Sequence, residues 1–495
     1  MLNNIIRRIC NFYNKKLERD LMLTGDDISE YCKKYKIYFL ISVTSISLII
    51  LGSIYIYHDL IFTSLIPSLL LLSPLLREKI AKDEFLKALE KEVPIFSAYL
   101  YANSLLGKSL YQSILNLKDS KILKGISKEA MLLEKNVRMR GLTSTTAILE
   151  RSRLHRKDAL GRIYSEFIDT ELVGVSTNQR AKQSLEKVMG EMKQNLNSYV
   201  QRSVDLSEVM FSFFLLFPIM LTSFQLAFDK SINLVQVITP LISSPVFYLI
   251  ISSFQPSSDY IFSFSKKVIL GVAGVLVISS ILLLKYLGPS LTLMVAVLEL
   301  SIVFYLQLRV ADSLTSKLPA ILDKISDYSR VGYGLRSSLQ RVINSENIDL
   351  RTKKYLIEFL KNLDNEREMT TPSWTFNATL DLLRRIDTLG YVDTKVFSEL
   401  SAIIQEMLNM RSSMQSNLQL FTVISAITPI LFHFTLFSFS FMASDKYVLN
   451  QLVNVYTIVI EILYSKISKL TLFNFPLVLV TTVISIILSF FSLPL

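Results

Sequence analysis

The sequence predicts an all-α polytopic membrane protein, with about nine transmembrane helices and two cytoplasmic helical domains arranged as parallel tandem repeats. Three observations predict it. Of 495 residues 51% are apolar and the mean hydropathy is +0.40, too greasy for an ordinary soluble chain. Several apolar runs approach or exceed the ~18 to 20 residues that cross a bilayer as a helix. One stretch also occurs twice, at a fixed offset of 225.

The first copy reads Lys91-Glu92-Val93-Pro94 and, thirteen residues after the proline, Gly107-Lys108-Ser109-Leu110. The second reads Ser316-Lys317-Leu318-Pro319 and then Gly332-Tyr333-Gly334-Leu335 at the same distance. Leu89, Val93, Phe96 and Leu100 match Leu314, Leu318, Ile321 and Ile325. Beyond the glycine, Leu110, Ser113, Ile114 and Leu117 match Leu335, Ser338, Leu339 and Val342. Spacings of three and four put these residues on one helix face, and the glycine lies where that helix would stop. The pattern predicts a duplicated helix-turn-helix unit.

In chain order, residues 1–36 form a polar cytoplasmic segment of mixed charge, so no cleavable signal peptide is expected. Residues 37–76 hold the first two spans, Ile37 to Tyr57 with Tyr55 and Tyr57 as interface anchors, and Leu60 to Leu76. Residues 77–206 read as a first cytoplasmic domain of five or six helices, with breaks at Gly107, Gly125, Gly141 and around Gly174. Residues 207–308 hold spans three to six: Val209 to Phe228, Leu234 to Phe254, Val268 to Leu287 and Pro289 to Leu308. Residues 309–417 form the second cytoplasmic domain, and 418–495 the last three spans, Leu418 to Met442, Leu449 to Tyr464 and Leu470 to Leu493. Pro218 and Pro429, each in the first span after a cytoplasmic domain, are expected to kink those helices.

Charge tests the count. With the N-terminus in the cytoplasm, nine spans put 50 of the 53 Lys and Arg residues on that side and leave Lys230, Lys285 and Lys446 outside. A basic chain of net charge +11 therefore needs no nucleic acid to explain it. The chain is expected in the cell membrane as a multi-pass protein. Four spans separate equivalent points of the halves, an even number that makes the repeats parallel. Inverted-topology repeats of secondary transporters need an odd number.

Chemistry-bearing motifs are sparse. Gly107-Lys108-Ser109 imitates the end of a phosphate-binding loop, but Ala102 stands where that loop needs its first glycine. Cys10 and Cys32 form no ligand cluster, and His58, His155 and His433 are far apart and read as incidental surface or interface residues. Carboxylate pairs such as Asp83-Glu84 and Glu90-Glu92 lie among lysines and read as solvated helix faces. No catalytic residue, metal site or cofactor site is expected. Glu299 and Glu461 fall within predicted spans, read mainly as interhelical polar contacts, with an ion relay as the functional alternative.

The repeated Pro-x12-Gly-x-[Ser/Gly]-Leu-x-x-Ser-[Ile/Leu] element, in each copy followed by a Pro-bearing span, resembles the type II secretion system F family. The nine-span layout with two large cytoplasmic domains is most similar to its archaeal branch, the membrane core of archaellum and archaeal pilus assembly systems. The resemblance covers roughly residues 40–255 and 268–442. It implies a non-enzymatic platform in the lipid bilayer that partners a hexameric secretion ATPase and pilin or archaellin subunits, with a homodimer suggested by the six-fold ATPase and the two-fold repeat. The run Arg138, Arg140, Arg151, Arg153, Arg156 and Lys157 is dense enough to steer an acidic ATPase surface. The second domain departs from the first in being shorter and nearly neutral, with fifteen basic and fourteen acidic residues. An ion-coupled secondary transporter, motivated by Glu299 and Glu461, and a membrane receptor or scaffold are the competing readings.

Overall fold

Runs of apolar residues at helical spacing, punctuated by a few glycines and prolines, leave the backbone little alternative to helix. The computed structural model describes residues 18–25, 44, 65–173, 177–228, 234–345, 348–363, 370–388, 394–439 and 446–492, and among them it contains no strand. Four of its helices are long and apolar enough to cross a membrane: Thr177–Gln225, Lys266–Tyr286, Gly288–Arg330 and Lys395–Thr435. Ile238–Phe254 and Phe475–Ser489 are apolar but shorter. The first expected span, residues 37–57, lies outside the described residues except for residue 44, as do 60–64 of the second and the expected break at Gly174.

The chain packs as two units, Met1–Val188 and Met189–Leu495. The first contains α1 (18–24), α2 (Leu65–Leu105), α3 (Leu110–Leu115), α4 (Lys124–Arg140), α5 (Ser144–Leu154), α6 (Ala159–Val173) and the start of α7 (Thr177–Phe211). α2 runs unbroken through Pro94 and buries Leu89, Val93, Phe96 and Leu100. α4 ends at Gly141 in the left-handed conformation, as the sequence predicts, and Thr143 then caps α5 by accepting the Thr146 N–H at 3.2 Å.

The second unit continues from α7 through a π-helical turn (Ser212–Leu216) into α8 (Phe217–Phe228), then α9 (Leu234–Ile242) and α10 (Ser244–Phe254). α11 (Lys266–Tyr286) and α12 (Gly288–Arg330) follow. The unit closes with α13 (Leu335–Asn344), α14 (Leu350–Asn362), α15 (Trp374–Asp387), α16 (Thr394–Asn417), α17 (Gln419–Phe439), α18 (Lys446–Lys469) and α19 (Phe475–Ser492). The expected break between the fifth and sixth spans falls at Gly288, whose φ of 75° and ψ of 172° suit only glycine. α11 and α12 return on each other there, and Ser279 donates to Glu299 Oε2 at 3.0 Å across the hairpin.

The prolines act through the hydrogen bonds they remove. Pro218 follows the π-turn, in which the Phe217 N–H reaches back five residues to Ser212. Pro429 is held inside a continuous α17, and its carbonyl accepts from His433 Nδ1 at 2.9 Å. The expected fourth span, Leu234 to Phe254, carries a joint at Ser243 between α9 and α10. Pro245 in the first turn of α10 has no N–H to continue the ladder, and Ser243 forms the joint by bonding back to the Pro240 carbonyl.

The helix-turn-helix elements singled out in the sequence have the same backbone hydrogen bonds. Lys108 N donates to the Asn103 carbonyl at 3.0 Å, and Tyr333 N to Tyr328 at 3.2 Å. Gly107 N donates to Ser104 at 3.1 Å, and Gly332 N to Ser329 at 2.9 Å. Gly107 and Gly332 both take positive φ, 71° and 95°, and Ser109 and Gly334 are the N-caps of the helices that follow. All eight matched pairs of side chains are buried in both elements.

Replacing Gly107 or Gly332 by alanine meets open space, so only backbone strain counts. Each substitution is expected to cost about 1–2 kcal/mol. Gly288→Ala should cost about 1–3 kcal/mol, because its φ/ψ region excludes side chains. Thermal unfolding of the full chain in detergent measures all three.

Candidate functional site

The basic run 138–157 was the sequence's candidate for binding a partner, and the structure divides it. Arg138, Arg140, Arg153, Arg156 and Lys157 are exposed. Arg138 and Arg140 sit at the C-terminal end of α4, whereas Arg153, Arg156 and Lys157 sit at the far end of α5, whose eleven residues span about 16 Å. Arg138 pairs with Glu134 at 2.7 Å and Arg140 with Glu150 at 3.3 Å, both at solvent, where such pairs contribute little.

Arg151 is a correction. It is 2% exposed and offers no cation to a partner. Helical periodicity groups it with Ala147, Ile148 and His155, the buried face of α5. Its guanidinium grips Glu129 of α4 through both edges, Nε to Oε1 at 2.7 Å and Nη2 to Oε2. The remaining N–H groups donate to the carbonyls of Met22 at 2.9 Å and Leu23 at 3.0 Å, the free C-terminal carbonyls of α1. Lys82 adds an ion pair to Asp20 of α1 at 2.7 Å. One buried arginine thus joins α1, α4 and α5.

His155, expected as an incidental residue, completes the cluster. Nδ1 faces Asp158 at 2.7 Å and Nε2 faces Glu129 at 3.3 Å. Asp158 also accepts the Gly161 N–H at 2.9 Å and so caps α6, while the Tyr164 hydroxyl donates to Glu129 at 3.3 Å. Burial alone would discharge the imidazole, but Glu129 and Asp158 raise it to about 9. Burial likewise opposes the Glu129 charge, and Arg151 with His155 overturns this and holds the carboxyl at about 2.

Glu92, expected on a solvated face, is buried. The spacing 89, 92, 93, 96 carries the signal, since it places Glu92 on the apolar face of α2. Its carboxylate accepts the N–H groups of Gly125 at 3.0 Å and Ile126 at 2.7 Å, capping α4 from outside. Burial pushes it up to about 7 against the pull of those two donors.

In the second unit, the polar link 255–265 is pinned to the start of α15. The Asp259 carbonyl accepts the Trp374 N–H at 2.8 Å, and the Ile261 N–H reaches Pro372 at 2.8 Å. The Asp259 carboxylate takes the Thr375 N–H at 2.9 Å and the hydroxyls of Thr375, Ser373 and Thr315, with Arg411 at 3.4 Å. No group able to hold a metal occurs among the described residues. No family model, curated protein or solved structure matches the chain.

Arg151→Met leaves the buried Glu129 without its main partner and is expected to cost about 3–5 kcal/mol. Charge reversal at Arg153, Arg156 and Lys157 should stay within about 0.5 kcal/mol.

The pH response follows from the same groups. Glu92 and His155 both hold their proton more tightly folded than unfolded. Their stabilisation is complete below pH 4.5 and 6.5 and is lost as pH rises through about 7 and about 9, about 3 kcal/mol each. Glu129 acts oppositely, contributing above pH 4.5 and failing only toward about 2. Hydrogen exchange of residues 124–173 should therefore be slowest near pH 5, after correction for intrinsic rates. Glu92→Gln should flatten the fall between pH 5 and 7.

Proposed function

We propose that this protein is the membrane platform of a type IV pilus-like machine of the type II secretion system F type. It would couple a cytoplasmic secretion ATPase to the insertion of pilin or archaellin subunits. The observation that carries the reading is the pair of helix-turn-helix elements, alike in hydrogen bonds, glycine conformation and buried positions at an offset of 225. On this reading the chain is a tandem duplication with nine spans, its N-terminus and both polar lobes in the cytoplasm. Two further features support it: the Pro-bearing helices α8 and α17 each follow a long polar helix, and lysines and arginines are concentrated in the polar segments.

With Arg151 withdrawn from the surface, the ATPase-facing cations are Arg153, Arg156 and Lys157, with Arg138 and Arg140 as a separate pair. A deletion strain should lack surface filaments while still making pilin. The full chain in detergent should retain a secretion ATPase, and reversing Arg153, Arg156 and Lys157 should weaken retention at least tenfold at low salt. Filaments of normal number in the deletion strain would reject the reading; unchanged retention would reject only the site.

A further inference from the structure

α18 carries a row of polar residues, Asn454, Thr457, Glu461, Ser465 and Ser468, spaced three and four apart and all buried. It packs against α12, α17 and α19. Asn454 Nδ2 donates to Ser290 of α12 at 3.1 Å, and Thr481 of α19 donates to Glu461 Oε2 at 2.9 Å. The antiparallel register set by this second bond brings Thr482 and Ser485 of α19 alongside the same row. Six buried oxygens there have no partner: Asn454 Oδ1, Glu461 Oε1, Ser465 Oγ, Ser468 Oγ, Thr482 Oγ1 and Ser485 Oγ. From Asn454 to Ser468 the row runs about 21 Å, most of a hydrocarbon layer of about 30 Å.

Glu461 is 1% exposed and has one hydroxyl donor. The charged and titratable groups on neighbouring helices are engaged elsewhere. His433 of α17 meets Asn450 at 3.1 Å, Glu299 of α12 meets Ser279, and Tyr248 of α10 lies beneath Lys466. On α18 itself, Tyr464 donates to the Ser207 carbonyl and Tyr456 packs on Phe432. α19 contributes hydroxyls and no ionisable side chain. A lone ionised carboxylate is untenable in such surroundings, and a row of orphaned oxygens is what ordered water satisfies.

We propose that α18 and α19 enclose a water-holding polar seam in which Glu461 is a proton-binding site. The Glu461 carboxylate takes a proton from a hydronium of the seam, forming the acid on Oε1 and leaving water; release is the reverse. The site depends on packing within the second unit and stands apart from filament assembly.

Infrared spectroscopy of the full chain in lipid vesicles tests it. At neutral pH a carboxylic-acid C=O band should be present, absent from Glu461→Gln, and should shift on transfer to D2O within minutes. Thr482→Val with Ser485→Ala should slow that shift at least tenfold without changing the unfolding temperature. If Glu461→Gln does not fold, the D2O shift in the otherwise native chain and its slowing in the double variant decide instead. An ionised Glu461, an acid band that ignores D2O, or protonation that follows added sodium at constant pH would overturn the proposal.

Discussion

Both helical lobes depend on a chain reversal that only a left-handed residue allows. At Gly107 and Gly332 the helix closes with a bond from the residue after the glycine to the carbonyl five back, and the next helix starts two or three residues on. That geometry turns the following apolar face onto the one just completed. Each Leu, Ile, Val or Phe so buried contributes roughly 1.5–3 kcal/mol. The glycine contributes none of this itself, but with a different hand at the turn the two faces would not meet.

The third helix of each lobe is held by a charge arrangement that the offset of 225 carries further. Glu92 corresponds to Lys317, and Lys124 to Asp349. In the first lobe the acid stands on the long helix and takes two N–H groups at the start of α4. In the second the acid is itself the N-cap of α14, and the long helix supplies the cation, Lys317 to Asp349 at 2.7 Å. Either way a negative charge meets the positive end of the same helix. Under the proposed duplication this is an exchange of partners that conserves the interaction while reversing which helix carries each sign.

Periodicity made the helix faces legible, and glycine chemistry marked the stops at Gly107 and Gly141, because both are local properties. The charged residues were misread where composition displaced periodicity. Arg151 was grouped with its basic neighbours in sequence, although its spacing from Ile148 and His155 put it on the buried face. Its partner Glu129 lies twenty-two residues away on another helix, and no local pattern announces that pairing. The break at Ser243 was readable in principle from Pro245, but an apolar run long enough to span concealed it. The polar row of α18 was present as spacing; its orphaned oxygens exist only once α19 is packed against it.

Glu129 and Glu461 show how the same buried group is resolved in opposite ways. Glu129 has a bidentate guanidinium, an imidazole and a phenol, so its charge is matched where it sits. Glu461 has one hydroxyl. An ionised carboxylate buried without a matching charge is costly, and a proton removes that cost. The acid then needs acceptors and its neighbours need donors. Each orphaned buried group costs about 1–3 kcal/mol, whereas an ordered water costs at most about 2 and can serve two to four groups at once. Six such groups along two helices therefore favour water over a dry contact, and a hydrated acid is one that can exchange its proton.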